Sequence, residues 1–178
     1  MSHQILLGVT GSIAIHRALD LVSLLRKQKH KIYVSMTENA AHLVDPALFA
    51  SLSGNPVLTD LFDPDSDDFP HIQAARAMEV ALVAPATANI LGKVASGIAD
   101  DALSTTLMTL SCPLLFAPAM NSRMWENPFV QRNVEILQRH GARFIGPDSG
   151  PLACGDVGIG RLAPIQEIAQ RTIEAIGE

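Results

Sequence analysis

The sequence predicts an α/β fold in three layers, with a mainly parallel sheet covered by helices on both faces. Three observations predict it. Short apolar runs such as residues 4–10 (QILLGVT) and 80–84 (VALVA) lack the alternation of a half-exposed strand, as expected of strands buried on both sides. These runs alternate along the chain with stretches of helical periodicity, the pattern of right-handed strand–helix–strand units. The composition is 48% hydrophobic but only 4% aromatic, so the core must rest on Ala, Val, Ile and Leu.

Residues 4–10 form the first strand, ended by Gly11 and Ser12, and residues 13–28 carry a helical pattern. Residues 31–36 (KIYVSM) predict a second strand. Thr37 is placed to cap a helix over 39–42, and Pro46 divides that helical region in two. Residues 60–70 hold five aspartates and two prolines and read as a solvated loop. A short helical piece at 71–77 leads into the strand at 80–84. Residues 89–110 supply helices interrupted near Gly97, followed by a strand at 113–117 (PLLFA), a helix at 128–140 and a short strand at 143–145. A terminal helix starts at Pro164. No repeat or linker interrupts the order, so residues 1–178 are read as one Rossmann-like or flavodoxin-like domain.

The formal charge of -5 and the scattering of the 13 Lys and Arg residues give no basic field for a polyphosphate backbone, so no nucleic-acid partner is expected. The N-terminal segment has no basic run before its apolar stretch, and no apolar run approaches a membrane span. Cys112 and Cys154 are too few for a disulfide framework, so a reducing, cytoplasmic setting is expected. No metal site is expected.

In parallel sheets ligands bind beyond the carboxyl ends of the strands, which selects residues 10–14, 35–37, 85–90 and 118–125. Gly11, Ser12, Ile13 and Ala14 open a helix after the first strand, where free N–H groups face either a phosphate or simply a turn. The chain lacks the GxGxxG and GxxxxGK[ST] spacings, which argues against NAD, FAD and ATP. Thr87, Ala88 and Asn89 repeat the arrangement at a later strand, with Thr87 either an N-cap or a phosphate contact. Two such helix starts on one sheet suit a mononucleotide.

Residues 118–125 (PAMNSRMW) crowd two Met, Asn121 and the only Trp at a strand exit, as a packing cluster or as a site where the Asn121 amide meets a carboxylate. Residues 150–161 (GPLACGDVGIGR) read as a long glycine-rich binding loop with Cys154 in its middle, while Cys112 reads as a small packing residue. His71 starts an apolar helical stretch, and nothing local singles it out from His16, His42 or His140.

Taken together, these motifs resemble the homo-oligomeric flavin-containing cysteine decarboxylases. Residues 85–90 are similar to that family's PASANT segment, with Thr87 for Ser and Ile90 for the final Thr. Residues 118–125 match its PxMNxxMW signature, and residues 153–161 (ACGDVGIGR) resemble the substrate-clamp loop of its branch acting on phosphopantothenoylcysteine. The resemblance implies FMN held by Gly11, Ser12, Ile13, Ser35, Thr37, Thr87, Ala88, Asn89 and Ile90, in sites formed where subunits of a trimer, or of a dodecamer of trimers, meet. Ile90 would lack one hydroxyl to the cofactor.

The same resemblance implies catalytic roles for His71 and Cys154 and substrate contacts from Asn121, Met124 and Ala153. A thiol with an ordinary pKa of about 8.5 is largely protonated at neutral pH, which suits Cys154 as a proton donor. A peptidyl-cysteine decarboxylase shares the flavin site and PxMNxxMW, but the Cys154 loop argues against it. A non-catalytic flavin-binding subunit would have lost His71 or Cys154, and both are present. An electron-transfer module is compatible with the fold alone.

Overall fold

The computed structural model describes residues 1–61, 77–152 and 155–177. β1 (Gln4–Val9) lies between β2 (Lys31–Met36) and β4 (Val80–Ala86), with Ile5 opposite both Ile32 and Val80. β3 (Val57–Leu58), β5 (Leu114–Pro118) and β6 (Arg143–Phe144) extend the sheet, and every pairing in it is parallel. The strand order is β3-β2-β1-β4-β5-β6. This is the doubly wound order, and its direction reverses between β1 and β4, where such folds open a ligand crevice.

Alternate residues of the strands feed two cores. Ile5, Leu7 and Val9 of β1 join Leu21, Val22 and Leu25 of α1 (His16–Lys27), Phe49 of α3 (Pro46–Ser53) and Ile168 of α8 (Ile165–Glu174). On the opposite face, Leu6, Ala81, Val83 and Phe116 pack with Leu91 of α4 (Ala88–Ala95), Leu103 and Leu107 of α5 (Ala102–Met108), and Val134 and Leu137 of α7 (Pro128–Arg139). A fully buried Leu or Ile contributes about 1.5–3 kcal/mol, so these two layers, mostly aliphatic with Phe49 in one and Phe116 in the other, hold the sheet. Close packing is visible at Gly8, where a Cβ would lie 2.7 Å from Leu103 Cδ1.

Short-range chemistry sets the helix boundaries. Asp45 caps α3 by accepting from the Ala47 N–H at 2.8 Å, with Pro46 in the first turn, where a missing N–H costs nothing. Asp101 and Ser104 form a reciprocal capping box at the start of α5, and Lys93 of α4 reaches both Asp100 and Asp101 at 2.6 Å. The interruption predicted near Gly97 falls between α4 and α5, where Gly97 turns the chain at φ +69°.

The glycine-rich stretch predicted as a loop differs most from expectation. It forms an antiparallel hairpin, β7 (Asp148–Pro151) with β8 (Val157–Arg161). Its β8 strand alternates Val157 and Ile159 with glycines, and it is held by backbone contact with the turn after β5.

Candidate functional site

At the crevice, Thr10 is 1% exposed and follows β1. Its hydroxyl donates to the Pro85 carbonyl at 2.6 Å and accepts from the Thr87 N–H at 3.1 Å, tying together the two strands that flank the reversal. Ser12 makes a second tie. Its hydroxyl donates to the Ala119 carbonyl at 3.2 Å and accepts from the Ala14 N–H at 3.3 Å, starting the 3₁₀ turn Ile13–Ile15. Between them, Gly11 has a local explanation: a Cβ there would stand 2.7 Å from Asn39 Cβ in α2 (Glu38–Leu43).

Thr37 caps α2 by accepting from the Ala40 N–H at 3.3 Å, and Thr87 caps α4 by accepting from the Ile90 N–H at 3.5 Å. Ala88 is half-buried and Asn89 exposed at the same helix start, whereas the Ile90 side chain is 1% exposed and belongs to the core behind α4. Ile90 thus offers the crevice only backbone. Ser35 is fully buried, and its Oγ has no hydrogen-bond partner among the described residues.

After β5, Asn121 caps the short α6 (Ser122–Trp125) by accepting from the Arg123 N–H at 2.8 Å. The hairpin docks on this turn through its glycines. The Met120 N–H donates to the Gly160 carbonyl at 2.9 Å, and Gly160, at φ +139°, sits where a Cβ would overlap the Met120 carbonyl oxygen. Two residues earlier, a Cβ on Gly158 would overlap Ser122 Oγ, which is itself buried without a partner among the described residues. The hairpin's closing bonds run from the Leu152 N–H to the Asp156 carbonyl (2.8 Å) and from the Gly155 N–H to the Leu152 carbonyl (3.0 Å).

A cleft of about 630 Å³ lies between the start of α1 and this hairpin, lined among others by Ser12, Ile13, Arg17, Asn121, Leu152 and Arg161. It brings together three of the sequence-predicted residues: Ser12, Ile13 and Asn121. Thr37, Thr87, Ala88 and Asn89 stand at the ends of neighbouring strands and do not line it, and Met124, 48% exposed, also lies outside its lining. His71, Ala153 and Cys154 lie outside the described residues. Cys112 precedes β5 at its amino end, where burial pushes the thiol pKa up, and it takes no part in this rim.

Sequence reasoning placed Thr10 in a selected segment but gave it, like Gly158, Gly160 and Arg161, no individual role. A strand-end Thr looks like any β-branched residue. Glycines two apart before an Arg did carry a signal: one face of a strand with no side chains.

A doubly wound sheet with capped helix starts and hydroxyls at its reversal point defines a nucleotide-binding type of α/β protein. The chain belongs to the Flavoprotein family, whose sequence profile matches residues 1–177. It is 44% identical over 170 residues to the coenzyme A biosynthesis bifunctional protein CoaBC of Bacillus subtilis, a match that takes in 95% of this chain but 42% of that protein. The chain thus spans about two fifths of the length of the bifunctional relatives it matches. A Streptococcus mutans protein named "Probable phosphopantothenoylcysteine decarboxylase" is 40% identical over 179 residues, 99% of this chain and 100% of that one.

Among solved structures, a cysteine-to-serine mutant of PPC decarboxylase complexed with pantothenoylaminoethenethiol superposes with a TM-score of 0.87 at 29% identity, covering 98% of both chains. The FMN-dependent cysteine decarboxylase SpaF gives 0.84 at 33% identity, covering 97% of both. A flavin is the cofactor of the family, and the residues present suit one. Neutral hydroxyls at Ser12, Thr37 and Thr87 and the Asn89 amide match a polar ring and a polyol chain, and the α4 start favours an anion.

Proposed function

We propose that this chain decarboxylates phosphopantothenoylcysteine, with FMN as cofactor, to give 4'-phosphopantetheine and carbon dioxide in coenzyme A biosynthesis. The observation that carries the proposal is the interlocking of residues 120–122 with the hairpin glycines Gly158 and Gly160 beside one cleft, because these belong to the two segments most specific to the family resemblance. The named relatives support the same substrate class.

Direct loss of carbon dioxide from a cysteine carboxylate would leave an unstabilised carbanion. A bound flavin supplies a reversible two-electron sink for the carbon bearing sulfur, so that decarboxylation can spread charge onto sulfur. Asn121 stands at the cleft, where its side chain can orient the carboxylate, with Met124 and Ala153 as further substrate contacts. His71 serves the oxidation and decarboxylation as the side chain that titrates nearest neutral pH. Cys154 returns a proton to carbon as the product is reduced. FMN is assigned to Gly11, Ser12, Ile13, Ser35, Thr37, Thr87, Ala88 and Asn89, with backbone alone from Ile90.

Ile13, Phe129 and Val157 are 67%, 75% and 81% exposed, which supports contact with further copies in a trimer or a dodecamer of trimers. Among the described residues no helix is long and apolar enough to cross a membrane.

The test is anaerobic incubation of the FMN-loaded chain with phosphopantothenoylcysteine, following products by mass and the flavin by absorbance. The wild type should release carbon dioxide and yield the saturated thiol. His71→Asn should keep oxidised flavin and release little gas, while Cys154→Ser should release about one equivalent per site and stall at a product two hydrogens lighter, serine being a far weaker acid. Wild-type accumulation of that lighter product, or no gas at all, would sink the proposal.

A further inference from the structure

The cleft holds two guanidinium groups in a chain of net charge -5, and they are not equivalent. Arg17 is paired with Asp20 at 3.1 Å, one turn along α1. Arg161 ends β8 and forms no ion pair with any described residue. Its side chain lies across the facing strand, since a Cβ on Gly150 would be 3.2 Å from both Arg161 Cδ and Arg161 Nη1. Glycine at that position makes room for it. A cation with no ion pair among the described residues, set beside a cleft, suits binding of an anion, and a planar guanidinium takes an anionic oxygen cluster through two parallel hydrogen bonds.

We infer that Arg161 recognises a phosphate monoester bound in the cleft, with Arg17 contributing a second positive charge. A dianion suits two guanidinium groups better than a carboxylate does, and Asn121 already faces the cleft as the group for a carboxylate. Two ligands of the proposed reaction end in a phosphate monoester, the substrate and FMN. The substrate arm rests on the function proposed above, and the cofactor arm does not.

The experiment compares wild type with Arg161→Gln and Arg161→Lys in two assays. The first measures KM and kcat for phosphopantothenoylcysteine and for the same compound without its phosphate. The second measures binding of FMN and of riboflavin to the flavin-free chain by fluorescence quenching. Loss of one charge-assisted contact should weaken the phosphorylated ligand about 10–100-fold in Arg161→Gln and leave its dephosphorylated counterpart within about twofold, with partial recovery in Arg161→Lys. A selective rise in KM for the phosphorylated substrate assigns the phosphate to the substrate. A selective loss of FMN affinity over riboflavin assigns it to the cofactor.

Equal losses within each pair of ligands, or no loss, would overturn the assignment. If wild type decarboxylates neither substrate, the proposed function fails, and the ratio of FMN to riboflavin affinity alone decides on Arg161.

Discussion

At the point where the strand order reverses, Thr10 joins β1 to β4 through two hydrogen bonds of one side chain, whereas across the cleft the β7–β8 hairpin is joined to residues 120–122 by positions that have no side chain. The first joint fails when a polar atom is removed, and the second fails when any atom is added. Hydrogen-bonded joints tolerate shape and not chemistry, while backbone-to-backbone joints tolerate neither a methyl group nor the backbone conformation it prefers.

The largest effect expected from this contrast is at Gly160. Gly160→Ala places a Cβ on the Met120 carbonyl oxygen and asks a non-glycine residue to hold φ +139°, so the hairpin must leave the turn. Overlap and strain together cost about 3–5 kcal/mol. The Met120 amide should then exchange rapidly with solvent and activity should collapse, while the two buried cores keep the sheet folded by circular dichroism. Gly158→Ala should be milder, since its clash is with Ser122 Oγ, which a rotamer change can move, and Ser122→Gly should restore it. Equal damage from both substitutions would show that the hairpin senses bulk in general and not the carbonyl contact.

Thr10→Val comes next and sharpens the other side of the comparison. The shape is kept, but the Pro85 carbonyl and the Thr87 N–H lose their buried partner, at a cost of about 2–3 kcal/mol. Urea unfolding should show the drop, and FMN binding should weaken because Thr87 caps α4 beside the assigned cofactor residues. Thr10→Ser, which keeps the hydroxyl, should recover most of the stability. A Thr10→Val protein as stable as wild type would mean that this joint is not what holds the reversal point.

Much of this architecture was legible in the sequence, for identifiable reasons. Strands such as β1 and β4 are buried on both faces and must be continuous apolar runs, and the caps at Thr37 and Thr87 announce α2 and α4 through local hydrogen bonds. β3 escaped notice because two residues cannot display a period. The hairpin escaped because its stability comes from contact with a distant turn.

At the site, the rule of strand carboxyl ends selected four segments, of which 10–14 and 118–125 contribute residues to the cleft. It could not say that Gly11 is required by Asn39 of α2, that Ile90 turns its side chain into the core, or that Asn121 caps α6 while facing the cleft. Each of these depends on which neighbour a helix start happens to touch.

The smallest effect is expected at the opposite end of the sheet, where a titrating cluster replaces both kinds of joint. His30 is 6% exposed, its Nδ1 accepts from the His3 N–H at 3.2 Å, and the two rings stack with centroids 5.4 Å apart. His3 Nδ1 in turn lies 3.0 Å from Glu79, whose second oxygen accepts from the Gln4 N–H at 2.7 Å. Burial, then the charges of His3 and the N-terminus, push the His30 pKa below its ordinary 6.5, with Glu79 opposing in part. The unfolded chain therefore binds the proton more readily than the folded one. This contribution is complete above pH 6.5 and is lost as the pH falls from 6.5 through the folded value.

Glu79 acts in the same direction at lower pH, because the hydrogen bonds from His3 and then Gln4 hold its carboxyl below the ordinary 4.5. His30→Gln, whose amide oxygen can still accept from the His3 N–H, should flatten stability against pH just below 6.5 and leave the lower acid transition in place. Melting temperatures across pH 4–7, measured for both proteins, check this. An unchanged slope would show that the proton is taken up elsewhere, and any accompanying change in activity at neutral pH would show that this end of the sheet is coupled to the cleft at the other.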